Sequence, residues 1–206
     1  MIEIDDFIDE FSVVFASLKD LAPWVIIQDL STTIRLMISE LDDNYVVQDE
    51  IAIHRTAIVE TGVVLKPPLI LAENSFVGAH AYLRGGVYIG AGSRIGPGCE
   101  IKSSLILANT ATAHFNFIGD SIIGNKVNFE AGSVIANHFN EKSGPDKLIL
   151  VRYNGLNIDT NVIKFGALIG DGSRIGANAV LSPGTILSRN TVVKRLELVD
   201  QQSTKP

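Results

Sequence analysis

Arg84 and Lys102 stand eighteen residues apart, and a histidine, His114, follows twelve residues after Lys102. Two cations close together repel unless an anion lies between them, so a stacked pair is a candidate clamp for a phosphate or diphosphate. Arg84 can grip two oxygens at once, and Lys102 would add a compact charge. The alternative is a pair of solvated surface cations splayed apart. A neutral imidazole could take a proton from an amine or hydroxyl during acyl transfer. It could equally be a surface or interface residue.

The spacing of eighteen matters because of the elements that carry it. Ile53, Val59, Leu65, Leu71, Val77, Leu83, Ile89, Ile95, Ile101 and Leu107 form an aliphatic series at every sixth position. Ile163, Ile169, Ile175, Leu181, Leu187 and Val193 keep the same step. A period of six suits neither an amphipathic helix nor an alternating strand. It suits a parallel β-helix, where each short strand contributes one inward aliphatic and then turns a corner. In a three-sided helix, one coil takes three hexapeptides, so Arg84 and Lys102 fall in one column on coils about 4.8 Å apart. Runs such as Ile89-Gly90-Ala91-Gly92-Ser93 supply the corners, since glycine adopts positive φ without penalty.

Two segments leave the period. Residues 1–45 carry Phe7, Phe11, Val14, Phe15 and Leu18, then Leu30, Ile34, Met37, Ile38 and Leu41, at helical spacing. They predict a small helical cap on the open N-terminal end of the solenoid, where unpaired strand edges need cover. Residues 46–200 are expected to form the β-helix. Its first interruption follows Leu107, where the step fails at Ala113, and this break holds His114. The second, an excursion over 137–160, contains Asn154-Gly155 after the apolar Leu148-Ile149-Leu150-Val151. It predicts an inserted loop or β-hairpin arm projecting from the helix. Residues 201–206 read as a polar tail.

Composition narrows the partners. A net charge of −6 argues against a general nucleic-acid binder. Hydrophobic residues make up 46% and charged ones only 19%, which leaves flat apolar sides for other copies to cover. Cys99 is the only cysteine, so it has no disulfide partner within the chain, and a small core role is expected. The acidic N-terminus lacks the charge pattern of a signal peptide, and no apolar run is long enough to span a membrane. A cytoplasmic protein, with no membrane or nucleic-acid partner, is the expectation.

The stretch from Tyr82 to Lys142 resembles the acetyltransferase half of the bifunctional bacterial enzymes that make UDP-N-acetylglucosamine. It is also similar to that half of archaeal sugar-1-phosphate nucleotidylyltransferase/acetyltransferases. The segments that carry the resemblance are Tyr82-Leu83-Arg84-Gly85-Gly86, Glu100-Ile101-Lys102-Ser103-Ser104, Ala113 to Ser121, and Val127 to Asn137. Lys164-Phe165-Gly166-Ala167-Leu168-Ile169-Gly170-Asp171 looks closest to the archaeal branch.

The resemblance implies a left-handed coil and a homotrimer with sites in clefts between subunits. It implies acetyl-CoA as co-substrate, an amino-sugar-1-phosphate as acceptor, and no metal for acyl transfer. On it, His114 would be the general base, and Arg84 and Lys102 would hold the phosphate. Asn137, Phe117 and His138 would help bind the sugar, and Gly166 and Ala167 would contact the cofactor. Phe117 and His138 stand where the bacterial enzymes usually have tyrosine, a departure that touches sugar recognition. No glycine-rich nucleotide loop precedes the coil, so a separate nucleotidylyltransferase is an expected partner.

Other readings compete. A γ-class carbonic anhydrase shares the coil but needs two histidines five apart. Here His80, His114 and His138 are separated by 34 and 24 residues. A non-catalytic β-helix scaffold is a second alternative, and an acyltransferase acting on a nucleotide-linked sugar is a third.

Overall fold

The computed structural model describes residues 2–201, so most of the tail at 201–206 lies outside the described residues. The chain is a parallel β-helix of short strands stacked in register. Ile53, Leu71, Ile89, Ile106, Ile123, Ile169 and Leu187 form the inward column of one face. Val59, Val77, Ile95, Thr112, Phe129, Ile175 and Val193 form the second. Leu65, Leu83, Ile101, Ile118, Ile135, Leu181 and Val199 form the third. The sixfold series is thus the interior core, with two corrections. Ile106, not Leu107, points inward, and Ile163 is 52% exposed outside the coil.

The first correction relocates the break in the repeat. Arg84 pairs with Lys102, yet the next paired residues are Val87 and Ser104, a register shift of one. Gly85-Gly86 on one coil therefore faces Ser103 alone on the next. The coil at Gly119-Asp120-Ser121 is short by the same residue. The irregularity sits at the corner after Lys102 and after Gly119, where Asp120 lies, and not at His114. The sixfold step misses at Ala113 because the inward column runs through Ile106 and Thr112, one residue ahead of it. Ser103 and Asp120 both hold positive φ, 44° and 48°, a conformation unfavourable for residues with a Cβ.

The N-terminal helices are α1 (Phe11–Val14), α2 (Pro23–Gln28) and α3 (Leu30–Ser39). They lie along the flank of the coil rather than over its end. Asp171 N–H donates to the Phe7 carbonyl at 2.9 Å, and Asp9 N–H donates to Asp171 Oδ2 at 2.8 Å. Arg189 pairs with Asp9. The physical reason is an apolar outer stripe on the first face. Ala52, Ile70, Leu105, Ile122, Leu168 and Ile186 join Phe11, Phe15, Trp24, Leu30 and Ile34 in a second core outside the coil. Self-coverage thus removes one apolar side that the composition assigned to other copies. The open edge is closed by β1 (Tyr45–Gln48), which pairs antiparallel with β2 (Ile51–His54).

Leu150–Tyr153 and Leu156–Asp159 form the hairpin that Asn154-Gly155 predicts. It does not project as an arm. Ile149 and Val151 are fully buried in the flank core, and Tyr153 meets Phe7 at a centroid separation of 5.7 Å. Cys99 is buried in the interior core, as expected. No helix among the described residues is long and apolar enough to cross a membrane.

Candidate active site

All the irregular corners stack at one edge of the third face. Arg84 and Lys102 are register partners on adjacent coils, in the arrangement the spacing of eighteen demands. They do not splay into solvent as free cations. Arg84 pairs with Glu100, Nη2 to Oε1 at 2.6 Å, and its guanidinium lies 5.6 Å from the Tyr82 ring centre. Lys102 Nζ meets Asp120 Oδ2 at 2.5 Å, with side chains only 16% and 9% exposed.

Asp120 is the residue the sequence reading passed over. Besides holding Lys102, it accepts from Asn137 Nδ2. Asn137 Oδ1 in turn meets His138 Nδ1 at 3.0 Å. Phe117 belongs to the same group. A Cβ built on Gly119 would come within 2.9 Å of the Phe117 ring and 3.0 Å of Asn137 Cγ, so glycine is required for their close approach. Arg84, Lys102, Phe117, Asn137 and His138 are thus gathered on neighbouring coils.

His114 is placed differently. It lies exposed at the opposite corner of the third face, before the strand Phe117–Gly119. Its carbonyl accepts from Gly132 N–H at 2.8 Å. Five residues along extended chain, at about 3.3 Å each, bound its separation from Gly119 at roughly 16 Å. Gly166 and Ala167 are buried, and their N–H groups are already used within the coil. Gly166 donates to the Asp120 carbonyl at 2.8 Å, and Ala167 donates to Ser121 Oγ at 3.0 Å. Neither has a free donor to give a cofactor; they bring the chain back onto the coil after the excursion.

A cleft of about 380 Å³ opens beside this corner. Lys102 and Asp120 form its floor, Gln28 and Ser31 one wall, and Ile163 and Lys164 another. Ser31 Oγ donates to the Gly85 carbonyl at 3.2 Å. Trp24 packs edge-on against Phe165 with ring centres 6.0 Å apart. The flank is therefore part of the site's wall, which helical periodicity alone could not reveal.

Arg84 and Lys102 each bring a carboxylate, so this pair adds little net charge to the corner. It still has donors to offer. Arg84 spends Nε and Nη2 on Glu100 out of five N–H groups. Lys102 has three N–H donors, and an ion pair with Asp120 leaves the others available. An anion entering here would be recognised by directed hydrogen bonds rather than by bulk positive potential.

The family model described as the GMPPB C-terminal domain matches residues 65–150, and that of the hexapeptide repeat of succinyl-transferase matches 166–194. The coil is a hexapeptide-repeat coil. The bifunctional sugar-1-phosphate nucleotidylyltransferase/acetyltransferase of Sulfurisphaera tokodaii is 31% identical over 145 residues, covering 70% of this chain and 35% of the relative. The bifunctional protein GlmU of a Picosynechococcus species is 37% identical over 111 residues, 54% of this chain and 20% of the relative. GlmU of Clostridium botulinum is 33% identical over 129 residues, 61% and 28%. The hexapeptide-repeat chain is homologous to these bifunctional proteins, but spans only about a fifth to a third of their length. A solved hexapeptide transferase family protein from Anaplasma phagocytophilum is 17% identical with a TM-score of 0.39, over 71% of this chain and 70% of that one. That likeness is too loose to bear on the site.

Proposed function

We propose that this chain is an acyltransferase that moves the acetyl group of acetyl-CoA to the amine of an amino-sugar-1-phosphate. The observation that carries the reading is the stacking of Arg84 on Lys102, each held by its own carboxylate beside a cleft. A phosphate accepted by both cations would fix the sugar against the third face. The amine nitrogen then attacks the thioester carbonyl. The C–N bond forms, the C–S bond breaks, and CoA leaves as a thiol. Backbone N–H groups could stabilise the oxyanion, which is commonly the largest contribution to such a step. His114 is assigned as a proton acceptor, across the face from the clamp. Sites between copies in a trimer would bring further corners close to the cleft.

The domain organisation goes with it: a helical segment over 1–45, lying on the flank where a cap was expected, and a left-handed coil over 46–200 with the 137–160 excursion. A scaffold without activity is favoured by one observation, the neutralisation of both cations within the chain. The test incubates purified protein with acetyl-CoA and, separately, glucosamine-1-phosphate, galactosamine-1-phosphate and a UDP-amino sugar, and reads the free thiol. Release with a hexosamine phosphate supports the reading and identifies the acceptor. Release with the UDP-amino sugar alone transfers the assignment to a nucleotide-linked acceptor. No release from folded protein favours the scaffold.

A further inference from the structure

The hydrogen bonds from Lys102 to His138 leave only one arrangement of protons. The Asp120 carboxylate has lone pairs and no proton to give, and it meets Lys102 Nζ and Asn137 Nδ2 at the same oxygen. The Asn137 amide is therefore turned with its NH₂ toward Asp120 and its Oδ1 away. That oxygen also has only lone pairs, and it meets His138 Nδ1 at 3.0 Å. The shared proton must come from the imidazole, so a neutral His138 carries its hydrogen on Nδ1 and its free lone pair on Nε2. Asn137 is 6% exposed and Asp120 also 6%, so both are held within the fold, whereas the His138 ring is exposed.

We propose that His138 is a second proton acceptor of the acyl-transfer site, with Asp120 and Asn137 as positioning residues that fix its tautomer. The proposal rests on the acyltransferase reading above. Its chemical basis is proton count. A hexosamine amine is an ammonium at neutral pH, and it loses two protons on the way to an amide. The first must leave before the nitrogen has a lone pair with which to attack. In a 2-amino sugar 1-phosphate, the amine and phosphate stand on neighbouring carbons. The group that takes the first proton therefore has to lie close to the phosphate clamp. His138 is joined to Lys102 through two side chains, while His114 occupies the far corner of the face. His138 Nε2 takes the ammonium proton and passes it to solvent. The second proton leaves the same nitrogen as the C–N bond forms. His114 of a neighbouring copy, brought to the cleft in the trimer proposed above, takes it, and that proton ends on the sulfur of CoA as the C–S bond breaks.

The positions of these residues agree. Asp120 lies at the shortened corner, with the left-handed φ of 48° that corners of this coil commonly take. His138 is at the first residues of the excursion, where the chain leaves the coil beside the same corner.

The test uses the full chain labelled with ¹⁵N and read by long-range ¹H–¹⁵N correlation at a pH where the imidazole is neutral. The His138 signals are assigned by their loss in His138→Gln. The expected pattern is a protonated Nδ1 and a free Nε2, lost in Asn137→Ala. In parallel, His138→Gln is expected to lower kcat for the hexosamine phosphate roughly a hundredfold, with KM for acetyl-CoA unchanged. An Nε2–H tautomer in an active wild-type chain, or a His138→Gln enzyme with wild-type kcat, overturns the proposal alone. A folded wild-type chain with no turnover on any hexosamine phosphate overturns the acyltransferase reading, and the role of His138 with it.

Discussion

Asp120 shows what a single carboxylate can organise. It neutralises Lys102 and orients Asn137 from a side chain that is 9% exposed. Asp120→Ala would leave the Lys102 ammonium without its carboxylate and the Asn137 NH₂ without its acceptor in a confined corner. The expected cost is about 3 kcal/mol, read by urea unfolding, and a variant within 0.5 kcal/mol of wild type would mean that water replaces the carboxylate. Arg84 has the more exposed partner, so its substitution should affect binding more than folding. Arg84→Ala is expected to weaken hexosamine phosphate binding at least tenfold while leaving acetyl-CoA affinity within about twofold; calorimetry with each ligand decides, and equal losses would move the clamp elsewhere. His114→Ala is expected to lose at least a hundredfold in kcat with its fold intact. Near-normal turnover would assign the proton transfer to another group. The stacking of Arg84 on Lys102 was legible because both lie in the eighteen-residue column. Asp120 was not legible in the same way: the coil is one residue short, so the column partner of Lys102 is Gly119, seventeen residues on, and Asp120 sits at the corner beyond it.

At the scale of elements, the flank over residues 1–45 behaves as part of the core. Phe11 is fully buried and lies 5.0 Å from Phe15, ring centre to ring centre, and Phe15 meets Tyr88 edge-on at 5.4 Å. Phe11→Ala is expected to cost about 3–5 kcal/mol, monitored through Trp24 fluorescence, because Trp24 is buried in the same cluster. Burial, with a smaller contribution from the nearby Tyr45, pushes the Tyr88 phenol up to about 12 from an ordinary value of 10. Below pH 10 both folded and unfolded chains hold this proton, and the stabilisation is complete. Between pH 10 and about 12 the unfolded chain releases it first, so stability falls as pH rises. Tyr88→Phe should flatten that part of a denaturation-against-pH curve; an unchanged slope would mean that another group causes it. The helical spacing of these residues was visible in sequence. Their docking site was not, because an apolar stripe on a helix fits an open coil end as well as a coil flank.

For the molecule as a whole, self-coverage is confined to one face. The third face still presents Val64 at 44% exposure and Leu198 at 64%. A trimer is the expected assembly, and sedimentation velocity on the purified chain would report it directly. Leu198→Asp is expected to shift a trimer toward monomer if this face lies at the contact. A monomeric wild-type chain would instead require each site to be complete within one copy, which would leave His114 apart from the cation corner.

The coil was determined by the sequence itself, since a period of six leaves no other regular way to bury every sixth aliphatic. The hairpin at Asn154-Gly155 and the stacking of Arg84 on Lys102 followed from equally local rules of turn geometry and coil length. Tertiary structure decided what depends on contact between distant residues. It moved the break in the repeat from His114 to the Lys102–Asp120 corner, since a one-residue shortening is located only by strand register. It also placed the flank against the cleft and joined Asp120, Asn137 and His138 into one hydrogen-bonded line. Hydrogen bonds act over about 3 Å, and no spacing along a chain specifies which side chains will come that close when coils stack.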